Sequence, residues 1–143
     1  MALQLMTWLA FAVGWLRGGH TERRAVAVLF WDHAVTRSTA GMAGAHDMVA
    51  VSEIVVALIF AWLAFRSERW WTLAASAALM LCVLVFVLEW TTLELPRDAG
   101  ISARLGLWFF IYLSLLAGVA ERWMAGEQAV SRAAAWRRRR SAS

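Results

Sequence analysis

Ionisable residues interrupt stretches of this sequence that are otherwise apolar. Asp32 and His33 lie within AVAVLFWDHAV, Glu53 within MVAVSEIVVALIFAWLAF, Glu89 at the end of a long uncharged run, and Arg104 just ahead of LGLWFFIYLSLLAGVA. His46 and Asp47 adjoin the second of these stretches, and Arg37 follows the first. Such groups support three kinds of chemistry. In the first, Arg104 neutralises Glu53 or Glu89, Arg37 stands near Asp32 and His33, and the network fixes helix packing without binding anything. In the second, His33, His46, Asp47 and Glu53 offer the nitrogen and oxygen donors of a divalent-metal site, or a histidine, His33 foremost, ligates a pigment magnesium or a haem iron. In the third, Asp32, Glu53 and Glu89 begin a proton or ion pathway, although only Ser76 and Ser114 offer polar continuation beyond them.

The sequence carries no positive sign of catalysis. It has no HExxH helix, no P-loop, no GxSxG elbow and no glycine-rich dinucleotide turn, so a non-enzymatic role is expected. Haem held between helices needs two facing histidines, and only His33 falls inside an apolar stretch; His46 belongs to a loop and His20 to a solvated turn. The single cysteine, Cys82, is read as a small packing residue.

The elements that position these groups are membrane segments. Residues 70–88 (WWTLAASAALMLCVLVFVL) contain no charge over the ~20 residues a helix needs to cross a bilayer. The 143 residues are 62% hydrophobic and 17% charged with one proline, outside the usual range of soluble domains. Residues 48–65 and 105–120 read as further spans, the latter if its helix starts near Ile101 and takes in Arg104. Residues 1–16 lack a preceding positive charge and are followed by Arg17, which is the wrong order for a cleaved secretion signal, so they read as a first span. Residues 25–35 are short and polar, either a fifth span lengthened by snorkelling arginines or a re-entrant helix. The expected fold is therefore an all-α bundle with about five transmembrane segments.

Loop charge orients the bundle. With five crossings, Arg17, Arg23, Arg24, Arg66, Arg69, Arg122 and the tail share one side, against Arg37, Arg97 and Arg104 on the other. The positive-inside rule then puts the N-terminus outside and the C-terminus in the cytoplasm. Asp32, His33, Glu53, Glu89 and Arg104 all fall in the outer leaflet, Glu53 roughly 7–8 Å below its surface, and the cytoplasmic half is expected to be nearly free of polar groups. Trp62, Trp70, Trp71 and Trp123 are expected at the inner boundary and Trp31, Trp90 and Trp108 toward the outer one, as interfacial anchors. Residues 36–47 form the longest connection before the loop around Glu94, Pro96 and Asp98.

Small residues recur at helical spacing, Ala50, Ala57, Ala61 and Ala64 on the third segment and Ser114 and Gly118 on the last, which predicts close contacts within the chain or with another protein. Residues 1–123 form the bundle and 124–143 a basic cytoplasmic tail. Its Arg137, Arg138, Arg139 and Arg140 suit anionic lipids or the acidic surface of a partner; no aromatic platform or accompanying domain points to nucleic acid.

The turn WLRGGHTERR between two apolar segments, with RSERWW between the third and fourth, resembles small multi-span inner-membrane proteins of alphaproteobacteria. That resemblance implies a bacterial inner membrane and brings no activity or site residue with it. The expected role is an accessory or assembly subunit of a larger inner-membrane complex, of the photosynthetic or respiratory kind, binding other membrane subunits through lateral helix faces. The alternatives are a small oligomeric transporter or channel using the outer-leaflet acids, and a membrane-permeabilising, toxin-like protein. Any cofactor is left open.

Overall fold

The computed structural model describes residues 2–67, 69–91 and 97–126. Among them the chain forms five α-helices: α1 (Ala2–Arg17), α2 (His20–Thr39), α3 (Ala45–Arg66), α4 (Trp70–Thr91) and α5 (Arg97–Met124). Three of these, α3, α4 and most of α5, are long and apolar enough to cross a membrane. The tail arginines 137–140 and the expected loop around Glu94 and Pro96 lie outside the described residues.

The helices run alternately up and down and close into a ring, each packing on its chain neighbour and α5 returning to pack on α1. All five outer faces are apolar, with Leu5, Trp8, Leu9, Phe30, Trp31, Leu58, Leu73, Leu84 and Phe109 among the exposed side chains. A shared core of Phe11, Leu29, Phe60, Leu79, Ile111 and Leu115 fills the middle. An apolar exterior around an apolar core is stable only where lipid or another apolar surface replaces water.

The connections are shorter than the sequence suggests. α2 extends through Thr39, so the expected loop at 36–47 shrinks to residues 40–44. Two glycines make so short a turn possible, Gly41 (φ 87°) and Gly44 (φ 76°), both in the left-handed region that side chains disfavour. Only Gly18 and Gly19 separate α1 from α2. Glu22 reaches back from the first turn of α2 to accept the Gly19 N–H at 2.9 Å, which satisfies one of the unpaired donors at a helix start. The weak second segment is thus one unbroken helix of 20 residues, about 30 Å long. Its mean hydropathy is low because polar residues occupy both faces: Glu22 and Asp32 are buried, Arg24, Thr36, Arg37 and Ser38 are exposed, and Phe30 and Trp31 face out between them.

The small residues serve the interior of the chain. Ala57 is buried, and a Cβ at Gly118 would strike the Trp71 ring, so the glycine is what lets α4 seat that indole against α5. Trp71 is therefore no interfacial anchor: it is 0% exposed, whereas its neighbour Trp70 is 51% exposed. Ser114 is also buried and turns its hydroxyl onto its own helix, donating to the Phe110 carbonyl at 2.9 Å. Ala61 is half-buried. Cys82 is a free, buried thiol, as packing alone requires.

Candidate functional site

The α2–α3 end of the ring is where the sequence-identified residues gather. A cavity of about 640 Å³ opens there, walled by the last turns of α2 and the first turns of α1, α3 and α5. Its lining includes Asp32, His33, Arg37, His46, Glu53 and Arg104. The up-and-down topology explains the convergence, because residues near the end of an even helix meet residues near the start of an odd one.

Two carboxylates lie deepest. Asp32 is 2% exposed and accepts a hydrogen bond from the Ser52 hydroxyl at 2.5 Å. Glu53, the next residue along α3, is 4% exposed; its Oε1 accepts from the Trp108 indole N–H at 3.2 Å. The second oxygen, Oε2, is buried with no hydrogen-bond partner among the described residues. Both acids are thus held by neutral donors, and no described cation comes within ion-pair distance of either. An ionised carboxylate left this way is costly unless it takes up a proton or water or a bound group completes its shell.

The positive charge of the site goes elsewhere. Arg104 pairs with Glu89 at 3.8 Å and lies over the Phe86 ring at 4.0 Å, while its buried Nε has no hydrogen-bond partner among the described residues. His46 also faces Glu89, at 3.9 Å, and stacks on Phe86. Glu89 is accordingly the acid that Arg104 neutralises. Arg37 is exposed at the rim, with His33 a turn before it on α2. The His33 ring meets Trp8 and Phe11 edge-on at 6.1 and 6.3 Å.

The metal set does not assemble. Among the described residues no three His, Cys, Asp or Glu side chains are grouped to hold a metal ion. His33, His46 and Glu53 are spread around the wall, and Asp47 is exposed and does not line it.

Trp108 and Tyr112 also line the cavity, and neither was singled out there from the sequence. Trp108 was expected at a lipid interface, yet it is half-buried and bonded to Glu53; Tyr112 is buried beside it, with ring centroids 5.8 Å apart, and is hydrogen-bonded with Thr7. A signal existed: Arg104, Trp108 and Tyr112 recur every fourth residue, which puts them on one helical face.

The opposite, α1–α2 end also departs from expectation, because it is not free of polar groups. Glu22 is 0% exposed and pairs with Arg122 of α5 at 3.6 Å. Around it the Trp70 indole donates to Glu121 at 2.7 Å, Arg23 donates to the Trp15 carbonyl at 3.1 Å, and Arg17 lies over Trp123. His20, by contrast, is exposed as expected.

No family model matches the chain, and no curated protein and no solved structure matches it either. Fold and site define its class by themselves: a five-helix bundle with membrane-competent helices and a polar cavity at one end.

Proposed function

We propose that this protein crosses the membrane five times, N-terminus outside, and holds a small amphipathic molecule in the cavity at the outer end, acting as a receptor or carrier and not as a catalyst. The observation that carries the reading is a cavity of about 640 Å³ whose wall contains two buried acids, Asp32 and Glu53, with no cation among the described residues within ion-pair distance of either. That volume lies within the roughly 300–1,000 Å³ of small-molecule sites, which likewise combine apolar walls with a few fixed polar groups. Five crossings are supported by the apolar outer faces of α1 and α2 as well as of the longer helices. Orientation is supported by Arg17, Arg23, Arg24, Arg66, Arg69 and Arg122 at the α1–α2 end, against Arg37 and Arg97 at the other. A bacterial inner membrane suits that charge asymmetry.

Complex membership draws no separate support, since a bilayer alone would cover the apolar exterior. Transport, the second reading, has one specific observation in its favour: a third buried acid, Glu22, lies on the far side of the Leu29, Phe60 and Leu115 plug. Flux would require that plug to part.

Native mass spectrometry of the chain released from its own membranes tests the binding reading. A non-covalent adduct is expected, and Ala45→Trp, which puts an indole into the cavity wall, should remove it while the fold is kept. A chain without adduct, or an adduct indifferent to Ala45→Trp, overturns the reading.

A further inference from the structure

We infer that the ligand of this cavity is an organic cation, its positive head held between Asp32 and Glu53 and against the Trp108 and Tyr112 rings; the inference rests on the binding reading above. Charge is sorted by depth. Asp32 and Glu53 are almost fully buried at the inner wall, where Ser52 and Trp108 supply only neutral donors. Arg37 is exposed at the rim, and Arg104 is turned toward Glu89 and Phe86 of α4. An anion entering the site would meet two carboxylates at the inner wall, and the Arg104 guanidinium that also lines the cavity is already paired with Glu89. A cation against this wall would answer two buried acids that no cation among the described residues pairs.

The aromatic residues fit the same guest. Trp108 and Tyr112 stand 5.8 Å apart with their planes tilted by 37°, forming one side of the inner wall. Ring faces attract cations, most strongly where water is excluded, and alkylated ammonium groups suit such walls better than small hydrated ions do. Trp108 is held in place because its N–H is spent on Glu53, so one hydrogen bond orients both acid and ring. Val49, Ile101 and Leu105 line the way out and offer contact to an apolar body. The donor set argues against a divalent metal, since no three ligating side chains converge among the described residues. The chemistry defined is a monovalent, lipophilic ammonium or phosphonium compound.

Two probes of equal shape and opposite charge decide the matter: tetraphenylphosphonium and tetraphenylborate, titrated calorimetrically against the full chain in lipid nanodiscs, with protein-free nanodiscs as blank. The phosphonium should bind more tightly than the borate after blank subtraction. Glu53→Gln and Asp32→Asn should each weaken it by about tenfold, the order expected for losing one opposite charge near the bound cation. Neutral triphenylphosphine oxide should be unaffected by either change. Tighter borate binding, or phosphonium binding indifferent to both substitutions, overturns the cation while leaving the cavity a binding site. Failure of all three probes, together with a chain free of native adduct, overturns the binding reading itself. Discrimination by the unaltered chain is informative even if a variant does not fold.

Discussion

The two ends of the bundle bury carboxylates in opposite ways. At the α1–α2 end, Glu22 receives a guanidinium from Arg122 and a backbone N–H from Gly19, both at Oε2, while its Oε1 is buried with no hydrogen-bond partner among the described residues, and the space around it is filled so closely that a Cβ at Gly19 would strike Arg122. At the α2–α3 end, Asp32 and Glu53 receive a hydroxyl and an indole, and beside them the helices stand apart around a cavity. Charge matched by charge at close quarters locks helices together. Charge matched by neutral donors beside open space leaves an unmet electrostatic demand, which is what a binding site offers. On the proposed reading, the same residue type acts as structure at one end and as recognition at the other.

The largest effect is expected from breaking the locked end. Arg122→Ala strands the Glu22 carboxylate in a buried position and should cost about 3–5 kcal/mol, a large share of the stability of a chain this size. Unfolding monitored in mixed detergent micelles measures this, and adding Glu22→Gln to the same chain should restore most of the loss. A loss below about 1 kcal/mol would show the two ends to be equivalent.

A smaller loss is expected where the locked end is held by shape. Gly118→Leu forces the Trp71 ring out of its seat on α5, an overpacking that should cost about 1–3 kcal/mol, and trimming the indole with Trp71→Leu should recover part of it. Unchanged stability in Gly118→Leu would mean that the α4–α5 contact is looser than described.

The least effect on stability is expected at the open end. Glu53→Gln keeps an acceptor for the Trp108 N–H and breaks no ion pair, so the unfolding free energy should move by less than about 1 kcal/mol in either direction. A drop as large as that of Arg122→Ala would make Glu53 a structural residue and erase the contrast.

The long helices are legible because their apolar runs are uninterrupted, and α3 and α4 fall within a few residues of where hydropathy puts them. α2 is harder, since its polar residues fall on buried and exposed positions alike, and averaging over them hides Phe30 and Trp31 on its outer face. Clustering of Asp32, Glu53, Glu89 and Arg104 at one end also follows from their depth along alternating helices. Their pairing does not, because it depends on rotation about each axis. The tryptophan pair at 70 and 71 makes the point: adjacent, chemically identical side chains part into lipid-facing and fully buried positions, decided by a glycine on another helix. Glu22 was hidden for a related reason. TERR reads as a solvated turn until it is known that α5 brings Arg122 down beside it.

The closure of the ring by α5 against α1 sets a timetable for the chain's synthesis. Glu22 emerges from the ribosome about a hundred residues before Arg122, an interval of roughly 5–20 s at ordinary elongation rates. Through that interval the first hairpin carries an acid without its counterion, so it is the part of the nascent protein that most needs shelter from the insertion machinery and is most open to early degradation.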